Sequence, residues 1–235
     1  MEAAERLVFL DTETTGLDAR SGHRIIEVAG IEAVGRDLTG RHLHFYLDPE
    51  REIDAGATAV HGYTWDDLRG KPKFATIVHE LLAFLVGASV VIHNAPFDVS
   101  FLNHELARLR MPSLSSLDLV IVDSLALAKE KFPGKRNSLD ALCDRLGVDN
   151  SQRNLHGALL DARLLAEVYF GLTRGQGAFE MELPAQVPSL AIDNGTADSV
   201  PATIHPVLLE PAVLDTHRDY LGRLAKQSGV ERPWG

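Results

Sequence analysis

Short, wholly apolar runs alternate along the chain with longer stretches in which apolar residues recur every three or four positions. Leu7–Leu10 and Val90–Ile92 have the character of strands buried on both faces. Strands are predicted over 7–13, 90–93 and 118–123, and a hairpin from 25–34 and 41–47 that turns through Gly35–Gly40. Apolar positions at helical spacing predict helices over 74–86, 97–109, 124–131, 138–146 and 157–172. Three strands followed by alternating helix and strand imply an α/β fold with a mixed sheet and helices on both sides.

Acids interrupt this pattern where apolar side chains belong. Asp11 and Glu13 end the first strand, and residues two apart on a strand point the same way. Read alone, the pair could simply close a strand with polar residues. Gly16 then allows the backbone a close approach. Asp98 falls in line with Phe101, Leu102 and Leu109, the core-facing stripe of its helix, which Asn94 is placed to cap and Pro96 to start. Asp161 shares a face with Ala158, Leu165, Val168 and Leu172, while Arg163 and Glu167 take the other. His156, five residues earlier, would lie about 140° away on an ideal helix, so it belongs in the entering loop, free to swing over a site. Buried carboxylates are costly unless neutralised, and hard divalent cations take oxygen ligands. The four acids therefore suggest metal-assisted phosphodiester cleavage.

Composition narrows the setting. The single cysteine, Cys143, excludes an intrachain disulfide, suits a reducing cytosol, and lies in an apolar stripe as an inert thiol. No segment has the length and apolarity of a membrane span, and no signal peptide opens the chain, so a cytoplasmic protein is expected. Net charge is −10, with Lys129, Lys131, Lys135 and Arg136 the best basic cluster. Tight nonspecific binding to DNA depends on Lys and Arg displacing counterions, so a partner is expected to keep this chain near its substrate.

The character changes after Gly175, giving a division into 1–175, 176–205 and 206–235. Residues 176–205 lack periodicity and form a flexible linker in this reading, spanning roughly 30 Å as a coil. Val213, Leu214, His217, Leu221 and Leu224 then make a short helical stripe that Thr216 or Asp219 could cap.

The order and spacing of Asp11-Thr12-Glu13, Asp98 and His156-Gly157-Ala158-Leu159-Leu160-Asp161 resemble the exonuclease superfamily named for its four acids, in its histidine subclass. Ala59-Val60-His61-Gly62, Phe132–Leu142 and Leu155–Ala162 further resemble its proofreading members, closely from residue 7 to about 175 and more loosely in the tail. The resemblance implies a ribonuclease H-like five-stranded sheet. It also implies two Mg²⁺ or Mn²⁺ ions on Asp11, Glu13, Asp98 and Asp161, with His156 as general base. Thr14, Leu17, Val60, His61, Asn94 and Phe97 would surround the terminal nucleotide, Val60 and His61 wedging between bases to favour a frayed 3′ end of DNA. The implied reaction releases nucleoside 5′-monophosphates from mispaired 3′ ends, and the implied partner is the alpha subunit of a replicative polymerase, held by the tail. Gln176–Met181 loosely resembles a sliding-clamp-binding peptide but lacks its aliphatic and aromatic residues. RNA-trimming exonucleases share the same five residues and stand as the alternative; an inactive scaffold is disfavoured because all five are present.

Overall fold

A computed structural model describes residues 4–153 and 155–174; the linker, the clamp-like peptide and the tail expected from the sequence lie outside the described residues. Five strands form one sheet in the order β3-β2-β1-β4-β5, where β1 is Arg6–Thr14, β2 Ile25–Val34, β3 Asp37–Tyr46, β4 Ser89–Ile92 and β5 Val120–Asp123. β1 is antiparallel to β2 and parallel to β4, and β4 is parallel to β5. The mixed sheet expected from the sequence is present.

Alternation along β1 divides the core. Val8 and Leu10 pack with α3 (Phe74–Leu85) and α4 (Ala95–Arg108), through Phe74, Leu81, Phe101 and Leu102. Leu7 and Phe9 face the other way, onto α5 (Ser124–Lys131), α6 (Leu139–Leu146) and α7 (Ala158–Leu172), where Leu142, Cys143, Leu165 and Val168 are buried. Helices on both faces explain why β1 is apolar at consecutive positions rather than every second one.

The hairpin is tighter than expected. Val34 pairs with Asp37, so Gly35 and Arg36 alone reverse the chain, and the second strand begins at 37 rather than 41. Gly35 has φ 61°, which costs glycine little. The first six residues of β3 are exposed, as suits an edge strand, and so carry no apolar alternation that would have marked them. Two short helices, α1 (Ala55–His61) and α2 (Trp65–Leu68), also lay beyond the sequence reading, being too brief to develop a stripe.

Arg24, at the mouth of β2, is tied to α4 by paired hydrogen bonds to Glu105, Nε to Oε1 at 2.6 Å and Nη2 to Oε2 at 2.9 Å. This buried pair fixes the helix that carries Asp98.

Candidate active site

The parity that sorts the core also sorts the acids. Asp11 and Glu13 continue the Leu7–Phe9 face of β1, while Thr12 continues the Val8–Leu10 face and donates its hydroxyl to Asp98 Oδ1 at 2.7 Å. β1 and β4 are parallel neighbours, so the end of β1 and the start of α4 meet at the same end of the sheet. Asp98 sits in the first turn of α4 and Asp161 in the first turn of α7, where the helix dipole favours negative charge. Both are buried.

The carboxylates perturb one another. Burial, then Asp98, Asp161 and Glu13, hold the Asp11 carboxyl well above its ordinary pKa. Glu13 is pushed up to about 8 by burial, then by Asp161, Glu27 and Asp98. Asp98 rises to about 7, chiefly through burial and against the Thr12 hydrogen bonds that favour its charged form. Asp11 nevertheless keeps partial exposure, so the site opens to solvent through it. Within this set, ligand atoms of Glu13, His156 and Asp161 lie within 4.8 Å of one another, close enough that they could hold a metal ion.

His156 lies in the loop before α7, as expected, with its side chain 44% exposed. Its backbone N–H donates to the Val60 carbonyl at 3.1 Å, and Leu155 packs so closely on Gly62 that a Cβ there would collide with it. The tip of α1 thus braces the histidine loop. The His156 pKa is lowered by burial and by the Arg153 cation.

Arg153 was not visible in the sequence as part of the site. Its Nε donates to Asp161 Oδ1 at 2.6 Å and its Nη2 to Oδ2 at 2.7 Å; Nη1 reaches Asp140 at 2.5 Å. A lone arginine in a polar loop has no periodicity to betray it. Glu27 and His44, joined at 2.7 Å beside Glu13, were missed because their partners lie on other strands.

The residues expected around a substrate divide into two groups. Leu17 and Val60 are exposed, Asn94 is exposed, and Phe97 is half-buried against Phe101. Thr14 is buried and donates to the Gly16 carbonyl at 2.7 Å. His61 corrects the wedge expectation. Its ring is buried and stacked on Tyr63 at 5.6 Å, with Nδ1 accepting the Tyr63 N–H, so it supports the tip from beneath while Val60 alone protrudes. Asn94 also departs from expectation. It occupies the N-cap position of α4 in a left-handed conformation, φ 67°, and its side chain makes no capping hydrogen bond. Its own N–H donates to Asp123.

The exonuclease family model matches residues 8–169. The DNA polymerase III subunit epsilon of Rickettsia conorii is 46% identical over 226 residues, covering 94% of this chain and 97% of that protein. Its counterpart in Pasteurella multocida is 42% identical over 235 residues, covering 97% and 93%. Two solved structures share the fold. Exonuclease X in complex with 5′ overhanging duplex DNA has a TM-score of 0.58 at 23% identity, covering 73% of this chain and 93% of that one. The zinc-bound E. coli ExoI–ssDNA complex has a TM-score of 0.62 at 20% identity, covering 74% and 42%. The sheet is accordingly of the ribonuclease H-like kind. With the model spanning the described sheet and relatives alike over nearly their whole length, the chain belongs to the exonuclease family, in its DNA polymerase III epsilon-subunit branch.

Proposed function

We propose that this chain proofreads DNA synthesis, hydrolysing the terminal phosphodiester of a mispaired 3′ end to release nucleoside 5′-monophosphates. The observation that carries the reading is the convergence of Asp11, Glu13, Asp98 and Asp161 beneath the exposed loop bearing His156. Asp11, Glu13, Asp98 and Asp161 would hold two Mg²⁺ or Mn²⁺ ions. Bound there, the metals would lower the pKa of the attacking water and stabilise charge on the departing 3′ oxygen. His156 takes the water's proton as general base, and its lowered pKa keeps it neutral near pH 7. Thr12 holds the Asp98 carboxylate in place from the opposite face of β1.

Leu17, Val60, Asn94 and Phe97 line the approach for a terminal nucleotide, with His61 and Thr14 supporting it. Val60, exposed at the tip of α1, would separate a frayed base from its neighbour, and its exposure supports that reading. A mispaired end melts more easily, so selectivity follows from the cost of fraying. Residues 206–235 would bind the polymerase subunit, leaving 1–175 as the catalytic domain and 176–205 as its tether.

The near full-length likeness to epsilon subunits favours DNA over RNA as substrate. Matched DNA and RNA oligonucleotides, plain and with a 3′ mismatch, test this. Mononucleotide release from DNA, faster at the mismatch, is expected. Equal or faster trimming of RNA would sink the reading.

A further inference from the structure

Arg153 lies where a cation is needed and where a general base must be bare. Its side chain is 6% exposed and binds both oxygens of Asp161. Its Nη2 also lies 2.9 Å from His156 Nδ1. A guanidinium has only donors, so Nδ1 must be the acceptor, and the proton of a neutral ring then resides on Nε2. In this arrangement one ring nitrogen is covered and the other is protonated. His156 has no free lone pair with which to accept a proton from water.

We infer that Arg153 is a positioning residue: it stands in for metal charge, holding Asp161 and His156 in the metal-free protein, and gives up His156 when a divalent cation binds. The inference rests on the proposed metal role of Asp161. Two physical arguments support it. A buried Asp161 carboxylate needs a counter-charge, and Arg153 is a cation bonded to both of its oxygens. A divalent ion at the same carboxylates repels a neighbouring guanidinium. Asp140, half-exposed and bonded to Nη1 at 2.5 Å, would keep the displaced side chain tethered. The exchange would couple metal loading to release of the base.

The test uses the full chain. ¹⁵N-histidine NMR of the wild type should show His156 as the Nε2–H tautomer without metal, and loss of the Nδ1 acceptor signature on saturation with Mg²⁺. Mn²⁺ titration calorimetry should show Arg153→Gln binding roughly tenfold more tightly, because a like charge has been removed, whereas Arg153→Lys should stay close to wild type. Weaker Mn²⁺ binding by Arg153→Gln would mean that the arginine supports ligand geometry, and would overturn the inference. So would Lys behaving like Gln, or an Nδ1–H tautomer in the metal-free wild type. Should Arg153→Gln fail to fold, the wild-type spectra decide alone. No Mn²⁺ binding by the wild type would instead overturn the metal reading beneath it.

Discussion

Glu13 and Glu27 stand directly opposite each other across the β1–β2 ladder, and both are buried. Like charges directly opposite on antiparallel strands are destabilising. Glu27 finds partial relief in His44, 2.7 Å away, but its second oxygen has no partner. Facing Glu27 therefore helps raise the Glu13 pKa, and a bound cation would favour the charged form again.

The pH dependence of the metal-free protein follows with a definite sign. Glu13 at about 8 and Asp98 at about 7 are raised above their unfolded values near 4, and Asp11 is raised as well. Through that window the folded state holds protons that the unfolded chain has lost, so stability falls as pH rises from about 4 to about 8. Thermal melts in chelator should show this decline, and saturating Mg²⁺ should flatten it. Glu27→Gln removes a charge facing Glu13 and should lessen the decline; an unchanged slope would refute that coupling.

Asp11→Ala should abolish hydrolysis while the protein stays folded. It should also raise the melting temperature in chelator, because a carboxyl that is costly to bury among other acids is gone. Turnover above about a tenth of wild type, a loss below ~1.4 kcal/mol in the barrier, would remove Asp11 from the site.

For His156→Ala, metal binding should persist and the rate should fall by roughly 10²–10⁴. The acidic limb of the wild-type pH–rate profile should report one ionisation attributable to this histidine. An acidic limb unaltered by the substitution would assign the proton to another group.

Breaking the buried Arg24–Glu105 pair from one side should be costly. Arg24→Met leaves Glu105 charged and alone at 2% exposure, and about 3–5 kcal/mol of stability should be lost. The double variant Arg24→Met/Glu105→Leu should recover much of it in urea melts. Failure to recover would show that Arg24 matters chiefly through its contacts with the Pro49 carbonyl and Glu50.

A chain ending at Arg174 should fold and degrade single-stranded DNA at close to the full-length rate, yet fail to co-elute with the polymerase subunit in gel filtration. Co-elution would place the contact on the catalytic domain.

The sequence by itself determined the acids, and for a local reason. Strand parity puts Asp11 and Glu13 on one face, and helical spacing puts Asp98 and Asp161 among core positions, so each conflict is visible within a dozen residues. The order of the strands and longer helices followed from the same periodicities. Only the tertiary structure decided which distant groups meet: Glu27 against Glu13 through strand register, Thr12 on Asp98 through the β1–α4 junction, and Arg153 on Asp161 through the loop's path. It also decided that His61 lies beneath the surface while Val60 stands above it. Such pairings depend on sheet register, on how helices pack across the sheet and on the path of a loop, none of which leaves a period in the sequence.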